Sequence, residues 1–288
     1  METYFKRTCV KEEPSYALYY TEGIMNKDDI SVRFHYDRDF AIMYLKKGRG
    51  ILRVEGNPYA VSDGDVIIMS PYEIHRYELT DGVYQQRIVL YVDPSVLSGF
   101  GADIDEFFSC FNCRMRGIKN VIPSETAKQY KLDVLLEEML ELAKSNQKKS
   151  DALCLCKIVE VLSAACDAYE EKTEVHTVVP LQNQTVISII EYVNANLSSD
   201  MSIEKIADEF YLSKSRIEHL FKEEAGVSLW DYIILRRLVK CNEYIKNGET
   251  VKEAAYKSGF NNYSNFYRLY KKHIKMTPSE YKARAALD

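Results

Sequence analysis

The sequence predicts an α+β protein of two domains: an N-terminal β-barrel carrying a helical pair, then an all-α half. Three observations carry this. Short apolar or alternating runs separated by Gly, Pro and Asp-Gly signals fill residues 1–95. From Asp103 the apolar spacing becomes helical. After residue 183 the chain twice repeats a pattern of short helix, tight turn and second helix. At 288 residues it exceeds one ordinary domain, so the expected division is 1–170, a linker at 171–183, and 184–288.

In the first half, FAIMYLKKG, GILRVEG, PYAVSDGDVIIMS and YQQRIVLYV read as strands. They are punctuated by Gly48, Gly50, Gly56-Asn57, Asp63-Gly64, Pro71 and Asp81-Gly82, the turn chemistry of a small barrel or double-sheet jelly roll. DIDEFFSCF predicts a short amphipathic helix and residues 124–145 a longer one, with Leu132, Leu135, Leu136, Met139, Leu140 and Leu142-Ala143 on its apolar stripe. Residues 151–171 predict a third through Leu155, Ile158, Val159, Leu162 and Cys166.

Seven cysteines, odd in number and irregularly spaced, are not a disulfide framework and point to reduced thiols in the cytosol. Cys110-x-x-Cys113 lacks a second half, and Cys154 and Cys156 diverge around a helix, so packed, inert thiols are expected. No run of eighteen apolar residues occurs and METYFKRTCVKEEP has no apolar signal core, so a soluble, unexported protein is expected.

EKTEVHTVVPLQNQ is aperiodic and contains Pro180, the mark of a linker. TVISIIEYVNANL then opens a helix. Ser202 caps SIEKIADEF, and Ser213 caps a helix whose Ile217, Leu220 and Phe221 face inward. SLWDYIILRRLVKCNEYIKNG, capped by Ser228 and Asp231 and packed through Leu229, Ile233, Leu235-Arg236 and Leu238, forms a connecting rod. Its helical part runs roughly 27 Å at ~1.5 Å per residue. Thr250 and Glu253 make a capping box, Gly259 a turn, Asn262 the next cap, and Thr277-Pro278-Ser279-Glu280 a second box. Phe266, Leu269, Tyr270 and His273 or Ile274 define the buried face of the last long helix.

The net charge of −5 hides an asymmetry. Residues 184–288 hold 16 Lys+Arg against 14 Asp+Glu. The basic residues concentrate at the end, in Arg268, Lys271, Lys272, Lys275, Lys282 and Arg284. A local basic end on a near-neutral domain is the footprint for phosphates.

V-x-E-A-A-x-x-x-G-F (Val251 to Phe260), F-x-R-x-Y-K-K (Phe266 to Lys272) and M-T-P-S-E-Y (Met276 to Tyr281) resemble the AraC/XylS family of bacterial transcriptional regulators. The earlier unit matches through S-I-E-K-I-A, L-S-x-S-x-I-x-x-L-F-K-x-x-x-G-x-S and Y-x-x-x-x-R-L. His35, Phe40, Gly48, Gly50, Tyr59, Val61, Gly64-Asp65-Val66-Ile67-Ile68, Pro71 and His75 resemble the cupin-like, ligand-sensing half of the same regulators. The resemblance implies a ligand-responsive, sequence-specific DNA-binding regulator, usually an activator, in the cytoplasm and not an enzyme. Its implied partners are double-stranded DNA, a small-molecule effector such as a sugar or other polar metabolite, a second copy of the chain through the helical pair, and RNA polymerase; a membrane is not among them. The helical pair reads equally as a cover for one side of the barrel.

Recognition-helix logic places base contacts at early exposed positions and cations beside phosphates. In the first unit Ser215, Glu218 and His219 are the candidates for bases, with Lys214, Arg216 and Lys222 near the backbone. Glu218 can accept from a cytosine amino group or pair with Lys214 or Lys222. In the second unit the candidates are Tyr263, Ser264, Tyr267 and Arg268, with Lys271 and Lys272 on the backbone; Arg268 fits guanine or a phosphate.

In the barrel, Arg33, His35, Tyr44 and His75 are the ligand candidates. Arg33 and His35 share a strand face and would suit a sugar, carboxylate or phosphate. Enzymatic cupins converge more ligands on a metal. The barrel offers two histidines, Ala41 stands where an acid often follows the aromatic, and Glu73 is not placed near His35. No metal and no cofactor are therefore expected. The alternatives are a metal-dependent cupin enzyme with a DNA-binding tail, and a ligand-independent DNA-binding dimer whose barrel is only a scaffold.

Overall fold

The computed structural model describes residues 6–24, 35–37, 39–71, 73–79, 83–101, 103–145, 149–171, 184–225, 227–274 and 276–285. The chain divides into two compact units, Met1–Pro180 and Leu181–Asp288. Apart from Glu171, the expected linker lies outside the described residues.

The first unit begins with β1 (Lys6–Glu13), β2 (Tyr16–Ile24), β3 (Phe40–Lys47), β4 (Gly50–Val54), β5 (Asn57–Val61), β6 (Val66–Met69), β7 (His75–Leu79) and β8 (Tyr84–Val92). α1 (Ile104–Phe107), α2 (Ser109–Asn112), β9 (Val121–Ile122), α3 (Ser124–Gln129), α4 (Leu132–Lys144) and α5 (Ser150–Glu170) follow. The strands form a six-stranded sheet ordered β1-β2-β8-β3-β6-β9 and a three-stranded sheet ordered β5-β4-β7. Of the small barrel or double-sheet jelly roll that the sequence predicts, the described strands form the double-sheet arrangement, two sheets not closed into a barrel.

Alternation along β3 explains its unbroken burial from Phe40 to Leu45. Ala41, Met43 and Leu45 pack with Leu52, Val54, Tyr59 and Tyr77 of the smaller sheet. Ile42 and Tyr44 face the other way, into a core with Leu136, Met139, Ile158 and Leu162 of α4 and α5. A sheet covered on both faces has no polar side, so its strands read as continuous apolar runs. Covering this face is therefore one job of α4 and α5.

Three local expectations change. The helix expected over 124–145 is broken, because Lys131 sits in the left-handed region at φ 59° and α4 starts afresh at Leu132. DIDEFFSCF is two single turns, α1 and α2. The β4–β5 hairpin turns on Glu55-Gly56, both with positive φ, so Asn57 already pairs with Val54. All seven thiols are free; Cys110, Cys154, Cys166 and Cys241 are buried. Cys9, Cys113 and Cys156 are exposed, so packing accounts for four of them.

The second unit comprises α6 (Gln184–Ala195), α7 (Ile203–Glu209), α8 (Lys214–Ala225), α9 (Leu229–Lys246), α10 (Val251–Lys257), α11 (Tyr263–Ile274) and α12 (Pro278–Ala285). The caps fall where the sequence puts them. Ser202 accepts from Lys205 N at 3.2 Å, Ser213 from Arg216 N at 3.2 Å and Ser228 from Asp231 N at 3.1 Å. Asn262 accepts from Asn265 N at 2.8 Å, and both boxes, Thr250/Glu253 and Thr277/Glu280, close reciprocally. α9 differs in one respect. Arg236 reaches Asn194 Oδ1 at 2.8 Å on the surface, whereas Arg237 is buried and donates to Leu197 O at 2.9 Å and Ser199 O at 2.8 Å. Two carbonyls left over after α6 are thereby satisfied.

Candidate nucleic-acid interface and ligand site

Two helix-turn-helix units sit on either end of α9. In the first, α7 ends in a Schellman motif: Leu212 N donates to Ala207 O at 2.9 Å and Tyr211 N to Asp208 O at 3.1 Å. α10 ends the same way, with Phe260 N to Ala255 O at 3.1 Å and Gly259 N to Tyr256 O at 3.0 Å. The left-handed position is Tyr211 (φ 54°) in one and Gly259 (φ 93°) in the other. Tyr211 is 96% exposed, so its side chain meets open solvent.

α8 buries Ile217, Leu220, Phe221 and Ala225, and α11 buries Phe266, Tyr270 and Ile274. Phe221 packs on Tyr232 of α9 with centroids 5.4 Å apart, and Tyr270 donates to the buried Asn242 at 2.5 Å. With one face of each helix fixed, the opposite faces are presented outward. Lys214, Ser215, Arg216, Glu218, His219 and Lys222 on α8 are all exposed, as are Ser264, Tyr267, Arg268, Lys271 and Lys272 on α11. Tyr263 is half-buried, its ring 5.6 Å from that of Phe266.

Several of these side chains already have partners. Lys214 is paired with Glu204 of α7 at 2.5 Å, which raises its pKa, rather than with Glu218. His219 lies 3.7 Å from Glu223, and Arg268 donates to Asn265 Oδ1 at 2.9 Å. Exposed pairs of this kind hold little energy and exchange readily for phosphates or bases. Tyr211 stands at the turn position where the second unit has glycine.

Among the described ligand candidates of the N-terminal unit, Tyr44 is set apart from the two histidines. Arg33 lies outside the described residues. Tyr44 is in the helix-facing core, its hydroxyl pKa pushed up to about 12 by burial and then by Glu137 and Asp133. It lies on the opposite face of β3 from Met43, whose sulfur receives the Tyr77 hydroxyl at 3.3 Å. His35 and His75 do meet. They exchange backbone hydrogen bonds at 3.0 and 2.9 Å, and their rings are 4.3 Å apart.

Parity explains why strand-pattern reasoning missed the polar groups between the sheets: β8 is buried along nearly its whole length. Arg87 and Gln85 are buried, the guanidinium donating to Gln85 Oε1 at 3.0 Å and lying 3.9 Å over the Tyr77 ring. Thr21, opposite Arg87 in register, is buried with its hydroxyl unpartnered among the described residues. Asp37 is the other missed residue, 3.5 Å from His75 Nε2.

His75 is positioned by a pinned loop. Glu73 is fully buried and paired with Arg114, and it also accepts from Ser70 N at 2.7 Å, Gly117 N at 2.8 Å and Asn120 Nδ2 at 3.1 Å. Burial alone would raise its carboxyl pKa; the Arg114 guanidinium and the backbone amides outweigh that and hold it below the usual range. Its carbonyl accepts from His75 Nδ1 at 2.8 Å, fixing the ring.

No helix among the described residues is long and apolar enough to cross a membrane. Residues 19–162 match the family described as the AraC-like ligand binding domain, and residues 206–284 match a helix-turn-helix domain. The chain is 22% identical over 254 residues to the HTH-type transcriptional activator RhaS of Citrobacter koseri, covering 85% of this chain and 86% of that protein. It is 23% identical over 264 residues to the RhaS of Enterobacter sp. strain 638, with the same coverage. Among solved structures it is similar to ToxT from Vibrio cholerae (14% identity, 93% of this chain and 98% of that one, TM-score 0.36). It is also similar to the C-terminal domain of AraT, a response regulator from Geobacillus stearothermophilus (21%, 35% and 86%, TM-score 0.35). With a ligand-binding domain of this type joined to a duplicated helix-turn-helix half, the chain belongs to the AraC family of transcriptional regulators.

Proposed function

We propose that the chain is an effector-responsive activator that reads two adjacent stretches of one DNA duplex through α8 and α11. The observation that carries this is the pairing, in one compact unit, of two helices with buried apolar faces and outward polar, cationic ones. It works by binding rather than by catalysis, in the cytoplasm. Its RhaS relatives are named as activators; contact with RNA polymerase and homodimerisation through the outer faces of α4 and α5, where Val134 and Leu153 are exposed, complete the reading.

Arg268→Ala should cost about 1–3 kcal/mol of discrimination at one base pair. Lys272→Ala should weaken all sequences alike and flatten the salt dependence by about one phosphate contact. Competition binding of the full chain at several salt concentrations measures both, and uniform weakening by Arg268→Ala would reassign that side chain to a phosphate.

The effector we assign is a small polar metabolite with a carboxylate, phosphate or several hydroxyls, taken between the sheets against Arg87, Gln85 and Thr21. A buried guanidinium over an aromatic ring, beside a hydroxyl with no partner among the described residues, is an anion- or oxygen-seeking arrangement. Arg87→Met keeps the stem volume and removes the charge. Footprinting with a hit from a thermal-shift screen should show the effector response lost and effector-free DNA affinity unchanged; an unaltered response would move the site elsewhere.

A further inference from the structure

We infer that His35, Asp37 and His75 form a binding site for one first-row divalent transition ion. Each offers one ligand atom, and the three atoms lie within 4.8 Å of one another. Around an ion bound at ~2.1 Å, ligand atoms sit roughly 3.0–3.4 Å apart, so small side-chain rotations close the trio. The backbone already holds two members in place, because His35 and His75 exchange both amide bonds and so project from one face.

Two features prepare His75 as a ligand. Its Nδ1 lies 2.8 Å from the Glu73 carbonyl, which can only accept, so Nδ1 carries the proton and Nε2 points toward Asp37. Ligating imidazoles are oriented by just such a bond from the second ring nitrogen. Nε2 and Asp37 Oδ2 are 3.5 Å apart, too long for a hydrogen bond and close to the spacing of two ligands on one ion. Asp37 is in turn hydrogen-bonded by Tyr91. Its side chain is 18% exposed while that of His75 is 3%, so the site has a dry floor and an open side.

The donor set selects the ion class. Two imidazoles and a carboxylate suit Zn²⁺, Fe²⁺, Co²⁺ or Mn²⁺, leave coordination positions for water or an organic oxygen, and disfavour Ca²⁺ and Cu(I). The ion would tie the segment before β3 to the start of β7, inside the sensory unit.

The test uses the full chain, stripped by chelator and alkylated so that Cys9, Cys113 and Cys156, which are exposed, take up no metal. Titration with Co²⁺, and competition by Zn²⁺, should show one equivalent bound per chain, with visible absorption free of thiolate charge-transfer bands. Asp37→Asn, at a partly exposed position, should keep the circular dichroism of wild type and weaken uptake at least ~10-fold. His75→Gln should abolish it, and His219→Gln, at the exposed His219–Glu223 pair of α8, should leave Co²⁺ uptake as in wild type. No uptake at micromolar Co²⁺, or equal uptake by wild type, Asp37→Asn and His75→Gln, would overturn the assignment. Neither outcome depends on DNA binding, so the regulator reading stands or falls separately.

Discussion

Gly259→Ala should destabilise the helix-turn-helix half by at least ~4 kcal/mol and abolish DNA binding at 37 °C. The residue occupies the left-handed position of the Schellman turn after α10 at φ 93°, where any side chain costs ~1–2 kcal/mol. Its surroundings add more. A Cβ there would lie 2.2 Å from Leu197 O and 2.8 Å from Arg237 Nε. The first is backbone and the second is a buried guanidinium holding two carbonyls, so neither can move without breaking those bonds. A domain of this size has about 5–15 kcal/mol of stability in total, and the loss removes much of it. Trp230, the single tryptophan, lies in α9 and reports on this half in urea titrations. Tyr211→Ala is the matched control: it keeps a Cβ at the equivalent position in open solvent and should shift the midpoint little. A Gly259→Ala loss below ~1 kcal/mol would mean that the turn relaxes freely and the close approach to Leu197 matters little.

Glu73→Ala should cost the N-terminal unit about 3–5 kcal/mol, because Arg114 would remain buried without its counter-charge. Ser70 N, Gly117 N and Asn120 Nδ2 would lose their acceptor as well. The sign of the pH effect follows from the depressed carboxyl. Its folded pKa lies below the unfolded value of about 4.3, so its contribution is present above that pH. It is lost as pH falls through the lowered folded value. Calorimetric scans between about pH 3 and 6 should therefore show an acid limb that Glu73→Gln flattens while weakening the fold less than Ala does. An acid limb identical in wild type and Glu73→Gln would assign the pH dependence to other carboxylates. Because this carboxylate fixes the loop that aims His75, Glu73→Ala should also loosen the His35–His75 pair.

What the sequence determined by itself was local or face-to-face. Each cap spans three residues, from Ser202 to Lys205 or Thr250 to Glu253, and the stripe Phe266, Tyr270, Ile274 is one helix turn per step. Such interactions are written in neighbouring letters, so both helix-turn-helix units and their outward residues were legible without coordinates. Tertiary structure decided what depends on parity and on distant partners. Tyr44 is a ligand candidate by sequence, but β3 is buried on both faces, and only the packing of α4 and α5 shows which face Tyr44 takes. Arg237 rather than Arg236 is buried because two carbonyls some forty residues earlier need a donor. Asp37 joins His75, and Glu73 joins Arg114, across long stretches of chain. These pairings arise from chain closure: burial leaves each charged group with whichever opposite partner the sheets bring within reach, and no periodicity in the sequence encodes that choice.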